Sequence, residues 1–247
     1  MTSTSRISCQ PGYLLRSRSY RNTSLIVEVY SHEYGRIGMV VRGARTARSR
    51  WAATLQPFQR LLLSWQGRGE LKTLTAAETD GTSCWLQGNA LISGLYGNEL
   101  LLRLLQREDP HPVLMYYYEQ LLAILRDNKN QGQPAAAILL EQGLRRFEKC
   151  LLQELGYGLV LEHDARSGEP VGKASRYHYY LDEGPVLCTL ASASGFIVSG
   201  GTLLALAHEG TLDGSARREA KQLMRLALRR HLGDRPLHSR RLYRSPV

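Results

Sequence analysis

The sequence lacks any apolar run long enough to cross a membrane. Its longest apolar stretches, such as residues 135–140, are far shorter than the roughly 20 residues that a spanning helix requires. The first ten residues are polar and carry Arg6, so they also lack the apolar core of a secretory signal. We therefore expect the protein to act in the cytoplasm.

Cysteine is scarce and scattered. No two of Cys9, Cys84, Cys150 and Cys188 show the C-x-x-C spacing of a zinc clip or a redox motif. Cys84 and Cys150 fall in apolar, helix-like sequence, which is typical of a buried structural thiol. We expect four reduced cysteines without a catalytic role.

Motifs of the common enzyme classes are absent as well. The chain has no G-x-x-x-x-G-K-[ST] phosphate loop and no G-x-S-x-G nucleophile elbow, so it lacks the motifs on which the prediction of an ATPase or a hydrolase would rest. His163 and Asp164 are adjacent in a stretch that contains glycine, but no second histidine or acid has metal-ligand spacing. This pattern favours a solvent-exposed polar pair over a metal site. We expect no enzymatic activity and no cofactor.

Positive charge is abundant and unevenly placed, with a formal net charge of +10. Residues 1–82 contain 12 Lys and Arg against 5 Asp and Glu, and residues 216–247 contain 10 against 2, whereas residues 83–215 contain 10 against 15. Basic ends around an acidic middle indicate a localised polyanion partner, and nucleic acid is the commonest one. A solvated basic face is the alternative that composition leaves open.

The first 80 residues have the pattern of short strands. β-Branched and aromatic residues are enriched in 25–30, and further apolar runs cover 36–42, 58–65 and 71–75. The last two runs are separated by a Gly67-Arg-Gly69 hairpin loop, and an initial strand near 13–18 brings the number to five. Five short strands without long exposed edges predict a small closed barrel, either an OB-fold or an SH3-like barrel.

From about residue 81 the apolar period becomes that of helices. Leucine-rich stripes predict helices over about 85–105, 113–126 and 134–155, and two more near 202–208 and 215–232. Residues 158–190 are punctuated by Gly and Pro, which predicts an irregular insertion with an extended piece at 177–181. The predicted fold class is α+β, with a barrel over 1–80, a helical domain over 81–237 and a mobile basic tail over 238–247.

The densest local charge is a run of five arginines within residues 36–50, a stretch that contains no acid. Arginine binds phosphate through a planar fork of donors, and the release of counterions supplies affinity without sequence preference. Tyr34 and Trp51 are candidate surface platforms for base stacking, although most aromatic residues here should be core. We expect DNA contacts from the arginine run and from the hairpin that follows it: Arg36, Arg42, Arg45, Arg48, Arg50, Arg68 and Lys72.

Sequence blocks in both halves of the chain resemble those of the RecO family, which are bacterial recombination mediators. The blocks in the barrel are Asn22-Thr-Ser-Leu25, Gly35-Arg36, Gly43-Ala-Arg45, Leu55-Gln-Pro-Phe58 and Gly67-Arg-Gly-Glu-Leu-Lys-Thr-Leu74. The blocks in the helical part are Ser93-Gly-Leu-Tyr96, Asn98-Glu-Leu-Leu101, Leu144-Arg-Arg-Phe-Glu148, Leu155-Gly-Tyr-Gly158, Ser167-Gly-Glu-Pro170, Ala220-Lys221, Ala227-Leu228 and Ser239-Arg240. The resemblance covers most of the chain and implies an OB-fold for the barrel.

The resemblance also implies a function. It implies a protein without catalytic activity that binds single- and double-stranded DNA and anneals complementary strands, at a cytoplasmic and nucleoid-associated location. The implied partners are the single-strand-binding protein, RecR and, indirectly, the RecA recombinase. By the same resemblance, the acidic tail of the single-strand-binding protein is expected to contact Arg145, Leu152 and Arg218.

Some relatives carry a four-cysteine zinc module after the Leu-Gly-Tyr-Gly block. In this chain His163 and Cys188 are the only soft ligands in that segment, so we predict no zinc. Two other functions stay open on the residues alone. An RNA-binding or translation-associated OB-fold module would prefer structured RNA, and a nuclease would degrade DNA in the presence of a metal.

Overall fold

The computed structural model describes residues 6–81, 84–127, 134–189, 196–233 and 235–242. Their contacts form two compact units. Unit 1 comprises residues 1–115, 125–127 and 237–247, and unit 2 comprises residues 116–124 and 128–236. The first long helix and the last helix of the chain therefore belong with the barrel, whereas the sequence assigns that long helix to a separate helical domain.

Unit 1 contains a closed five-stranded barrel. Its strands are β1 Arg6–Tyr20, β2 Ser24–Ser31, β3 Gly35–Val41, β4 Arg60–Gln66 and β5 Leu71–Thr79. They follow the order β1-β2-β3-β5-β4, in which β3 and β5 pair in parallel and the other neighbours pair antiparallel. This is the topology of an OB-fold, so the SH3-like alternative is excluded.

The barrel core is formed by the inward face of each strand, as the strand period of two requires. Val27 and Val29 of β2 are fully buried, and Ile37, Met39 and Val41 of β3 belong to the same cluster. Burial of each such aliphatic side chain is worth roughly 1.5–3 kcal/mol. The five predicted strands are confirmed, and β1 and β5 are longer than predicted. A short helix that the sequence does not predict, α1 Trp51–Thr54, precedes β4.

Helix α2 (Gly88–Leu104) packs on the barrel within unit 1. A Cβ atom at Gly94 would lie 2.7 Å from Cε1 of Phe58, so the helix approaches this ring at a residue without a side chain. Asn98 Nδ2 donates a hydrogen bond to the carbonyl oxygen of Leu15 over 3.1 Å. Trp85, which the sequence places on the apolar stripe of this helix, lies before its start and is 75% exposed.

A segment of residues 105–111, which we call the strap, connects α2 to helix α3 (Pro112–Arg126) and runs beside β3. The backbone N–H of Glu108 donates to the carbonyl oxygen of Arg36 over 3.0 Å. Gly35 has a φ of +63°, and a Cβ atom there would overlap the backbone of Asp109. The strap therefore covers the first half of β3, and its close approach requires a glycine.

Unit 2 is built around three helices, α4 Pro134–Glu154, α5 Gly200–Ala207 and α6 Gly214–Leu232, together with residues 116–124 of α3. Leu140, Leu144, Phe147 and Leu151 of α4 are buried, which confirms the predicted inward face of this helix. A Cβ atom at Gly143 would lie 2.7 Å from the Cδ1 atom of an isoleucine in α3. Glycine thus allows α3 and α4 to approach closely.

Unit 2 also contains a three-stranded antiparallel sheet, which corrects the predicted all-helical domain. Its strands are β6 Arg176–Tyr180, β7 Gly184–Leu187 and β8 Phe196–Ser199, in the order β7-β6-β8. The sequence predicts an irregular insertion over 158–190 with an extended piece at 177–181, and β6 confirms that piece. Strands β7 and β8 were not predicted, because strands of four residues show too little alternation to be recognised when their pairing partners are unknown.

Asp164 stabilises the loop that precedes this sheet. Its Oδ1 accepts the backbone N–H groups of Arg166 and Ser167, both over 2.9 Å, and its Oδ2 accepts that of Leu187 over 2.6 Å. Asp164 is buried, so the interpretation of His163 and Asp164 as an exposed pair is wrong for the aspartate. Its role in the structure is to satisfy backbone donors.

Helix α7 (His238–Leu242) begins the segment 238–247 that the sequence predicts to be a mobile tail. Ser239 is buried within unit 1, and both of its donor groups bond to Glu99 of α2. Residues 243–247 lie outside the described residues. Across the described part of the chain, no helix has the length and apolar character that would let it cross a membrane.

Candidate nucleic-acid interface

An open groove lies at one end of the barrel, where the β1–β2 turn meets the end of β3. We call it the arginine groove, because arginines of both elements line it. OB-folds bind oligonucleotides on the face of β2 and β3 and on the loops beside it, so this is the expected place for a ligand. The lining residues are Tyr20, Arg21, Asn22, Thr23, Ser24, Val40, Arg42 and Thr73.

The β1–β2 turn is held in shape by Arg45. The Arg45 backbone N–H donates to the carbonyl oxygen of Thr23 over 2.9 Å. Its Nη1 donates to the carbonyl oxygens of Arg21 and Asn22, over 3.2 and 3.4 Å. Arg45 is exposed, as expected, but its guanidinium group braces the groove as well as adding charge.

The rest of the predicted arginine run is exposed after β3. Arg42, Arg48 and Arg50 are all exposed, and none of them has a carboxylate partner among the described residues. The guanidinium of Arg50 lies over the ring of Trp51, 4.8 Å from its centroid. Uncompensated guanidinium groups of this kind attract a polyanion most strongly.

Arg36 and Lys72 do not belong to this exposed set, because carboxylates already pair with both, and their assignment as DNA contacts stays a prediction. Arg36 Nη1 lies 3.3 Å from Glu28 Oε2, and the other oxygen of Glu28 pairs with Arg107 of the strap. Burial lowers the pKa of Arg36 below its ordinary value, Arg107 acts in the same direction and Glu28 opposes them. Lys72 is only 9% exposed, and its Nζ lies 2.7 Å from Glu108 Oε1.

These ion pairs fasten the strap to the barrel. Because the strap also covers the beginning of β3, the open part of the OB face is its other end, where the arginine groove lies. Arg68 is exposed on the β4–β5 loop and is not among the residues that line the groove. Its assignment as a DNA contact therefore stays a prediction.

The structure adds cations that the sequence reasoning missed. Arg16 and Arg18 are exposed on β1, and Arg21 follows in the turn, with its guanidinium 5.2 Å from the ring centroid of Tyr20. None of the three has a carboxylate partner in the described ranges. The available signal was the alternation of Arg16, Arg18 and Tyr20, which places them on one face of a strand.

The two candidate stacking platforms are partly core. Tyr34 is half-buried and meets Trp65 edge to face, with ring centroids 5.2 Å apart. Trp51 is also half-buried and packs against the barrel core. Tyr20, at the groove, is the aromatic side chain best placed for a base.

Two of the three residues expected to contact the acidic tail are buried in unit 2. Arg145 is 8% exposed and its Nη2 lies 2.8 Å from Oε1 of Glu148, which is 1% exposed. Leu152 is fully buried. Leu152 therefore offers no surface to a tail. Arg145 lines a small pocket together with Arg146 and Lys149, and its contact with a tail stays a prediction. Arg218 of α6 is exposed and has no carboxylate partner among the described residues.

A metal site is not found in the ranges that the structure describes: no three His, Cys, Asp or Glu side chains are grouped to hold an ion. Cys84 and Cys150 are buried, as predicted, and burial raises the pKa of the Cys150 thiol to about 12, with Glu154 and Glu209 adding to the effect. A thiol with so high a pKa is a poor nucleophile at neutral pH.

Comparison with known proteins decides the family. A family model described as Recombination protein O N terminal matches residues 6–82, and one described as Recombination protein O C terminal matches residues 86–241. The chain belongs to the RecO family.

Individual RecO relatives match nearly the whole chain. The DNA repair protein RecO of Alkalilimnicola ehrlichii is 48% identical over 241 residues, which cover 97% of this chain and 92% of that protein. Those of Nitrosococcus oceani and Methylococcus capsulatus are both 45% identical and cover 96% and 98% of this chain, and 93% and 95% of their own length. Membership of the RecO family gives the chain a role in DNA repair and recombination, as a DNA-binding protein.

Proposed function

We propose that this chain is a non-catalytic recombination mediator that binds single-stranded DNA along the arginine groove and anneals complementary strands. The observation that supports this most directly is a set of exposed arginines on the barrel and the segment after β3, none with a carboxylate partner among the described residues. Two of them, Arg21 and Arg42, line the groove, and the others are Arg16, Arg18, Arg48 and Arg50. An OB barrel with such a rim matches the backbone of a strand by charge and offers Tyr20 to its bases.

Annealing then follows from electrostatics. Two DNA strands repel each other, and arginines that neutralise both backbones lower this repulsion until base pairing can nucleate. If about five phosphates of one strand are neutralised, the logarithm of the binding constant falls against the logarithm of salt concentration with a slope of about −3.5. No nucleotide hydrolysis is needed, which agrees with the proposal that the protein is not an enzyme.

The partners are proposed in the same way. Engagement of the single-strand-binding protein, action with RecR and the loading of RecA fit a mediator of the RecO family. Arg218 is the exposed candidate for the acidic tail of the single-strand-binding protein. Arg146 and Lys149 line a small pocket beside the loop that joins α5 to α6, but both already pair with Glu209, so a tail there would have to compete with that carboxylate.

The test compares two sets of barrel variants. Arg21→Gln/Arg42→Gln removes two uncompensated charges, so we expect the salt slope for a single strand to become shallower by about 1.4 and annealing to slow. Arg60→Gln is the matched control, because Arg60 Nε already lies 3.3 Å from Asp80 Oδ2. It should leave both the slope and the annealing rate nearly unchanged.

Three results would contradict the proposal. A slope near zero for the unaltered protein would remove the electrostatic premise. A preference for structured RNA would favour a translation-associated module, and metal-dependent loss of the DNA would indicate a nuclease. Annealing is measured with and without the single-strand-binding protein, because a mediator should act on coated strands as well as on free ones.

A further inference from the structure

Helix α6 in unit 2 carries a straight row of positive charge. Its members are Arg218, Lys221, Arg225 and Arg229, spaced three, four and four residues apart, and all four are exposed. At 100° per residue these positions fall within an arc of about 80° on one side of the helix. We call this row the α6 stripe.

The stripe is directed away from the packed side of its helix. Of the buried residues of α6, Ala220, Leu223, Met224 and Ala227 lie on the other side of the helix, and Leu228 lies at the edge of the stripe next to Lys221. The stripe therefore contributes nothing to the core of unit 2. Four like charges along one helix face repel each other, which is a cost to stability that an anionic ligand would relieve.

No carboxylate compensates the stripe in the described part of the chain. The single acid in α6 is Glu219, and its Oε2 accepts hydrogen bonds from Ser199 Oγ over 2.8 Å and from Thr202 Oγ1 over 2.7 Å. The two other arginines of the helix are paired, Arg217 with Glu141 and Arg230 with Asp182. The stripe is thus the part of α6 where positive charge is left for a partner.

The geometry favours a phosphate backbone as that partner. Eleven residues at 1.5 Å each give the stripe a length of about 16 Å. Four cations along this length can pair with successive phosphates of one nucleic-acid backbone, whatever its base sequence. α6 contributes none of the large exposed hydrophobic side chains found among the described residues, so a peptide that contacts Arg218 at the start of the stripe finds no apolar anchor along the rest of it.

We propose that the α6 stripe is a second nucleic-acid site, which holds the backbone of a second strand while the arginine groove holds the first. This inference rests on the proposed annealing function, since annealing requires one protein to handle two strands. The inference places the second strand on the four residues of the stripe in unit 2. They would contact its phosphates, so binding there would not depend on base sequence.

The experiment measures whether one protein bridges two strands that cannot pair. Two oligothymidines, one with a donor dye and one with an acceptor, are mixed with the full-length protein, and energy transfer reports simultaneous binding. Arg225→Gln/Arg229→Gln should weaken binding of the second strand by about tenfold and make its salt slope shallower by about 1.4. Binding of the first strand should stay within about twofold.

The matched control is Arg217→Gln/Arg230→Gln, which removes the same two charges from the same helix where carboxylates already pair with them. It should bridge strands like the unaltered protein. Circular dichroism of both variants shows whether α6 stays folded. Equal bridging by the stripe variant and the unaltered protein would overturn the inference, and so would equal loss in both variants.

Two further outcomes separate this inference from the proposed function. If the unaltered protein binds one strand and never bridges two, the second site is refuted while DNA binding at the groove stands. If it bridges two strands but does not anneal complementary ones, the annealing function fails while the second site stands. A stripe variant that loses an acidic peptide and keeps both strands would show that the stripe is a peptide surface, and the inference would fall.

Discussion

We expect the substitution Glu99→Gln to release helix α7 from α2 while the rest of unit 1 stays folded. Glu99 Oε1 accepts the backbone N–H of His238 over 2.8 Å. Its Oε2 accepts the backbone N–H of Ser239 over 2.9 Å and the Ser239 hydroxyl over 2.7 Å. One carboxylate thus caps the first turn of α7, where the N–H groups of a helix have no internal partner.

The magnitude follows from these three bonds. Hydrogen bonds to a charged group contribute about 1.5–3 kcal/mol each, and the glutamine retains one of its two acceptor oxygens. A loss of about 2 kcal/mol is therefore expected, and this raises the detached population of α7 by about 30-fold. The reason is local, because Glu99 contacts the start of a helix of only five residues.

The effect should depend on pH. Burial opposes ionisation of Glu99, but the hydrogen bonds from Ser239 and His238 outweigh it and lower the pKa of Glu99 below its ordinary value. A carboxyl group with a lowered folded-state pKa stabilises the folded state above its unfolded pKa of about 4.3. The difference between the two proteins should be full at neutral pH and disappear as the pH falls through the lowered value.

Limited proteolysis measures the release. Trypsin cleaves after Arg240, which lies in α7 with its guanidinium 5.9 Å from the ring centroid of Tyr96. When opening is fast, the cleavage rate follows the population of the open form. Glu33→Gln, in the exposed β2–β3 turn, is the control. Equal cleavage of the Glu99→Gln variant and the unaltered protein, or equal acceleration by the control, would refute the role of Glu99.

Two further predictions concern stability and are read from thermal or denaturant unfolding. Gly35→Ala should destabilise the protein by about 3 kcal/mol, because the added methyl group overlaps the strap and the residue also has a positive φ. Gly43→Ala should cost about 1 kcal/mol, because Gly43 has a φ of +67° but open space around it. Equal costs for the two substitutions would contradict the placement of the strap. Arg145→Ala should cost about 3 kcal/mol because it removes the cation of a buried ion pair with Glu148. Arg218→Ala should change stability by less than about 0.5 kcal/mol, and a harmless Arg145→Ala would contradict the contribution of the buried pair.

Much of the fold could be predicted from local pattern. Apolar residues recur within a single segment at the period of its own element, so the sequence alone predicts the strands at 25–30 and 36–42 and the inward face of α4. The extended piece predicted at 177–181 corresponds to β6, whereas β7 and β8 were not predicted, because a strand of four residues is defined by its pairing partners more than by its own sequence. Helix α7 was missed for a related reason, since Glu99 lies 139 residues before His238.

The candidate site, like the fold, was predictable from the sequence only in part. The sequence by itself determined that positive charge is concentrated at the two ends of the chain and that an arginine run follows a barrel strand. Only the tertiary structure decided which of these charges are exposed and which are paired with a carboxylate. Arg42 is exposed and uncompensated, while Lys72 meets a carboxylate 36 residues away in the strap.

The physical reason is that the type of a residue fixes its charge, whereas its surroundings fix whether that charge reaches solvent. Burial and ion pairing depend on atoms brought together by folding, and they can neutralise an arginine or lysine that looks available in the sequence. Arg36 and Arg145 are both paired with carboxylates in this way. Arg21, Arg225 and Arg229 have guanidinium groups that folding leaves exposed, and it is there that we propose contact with DNA.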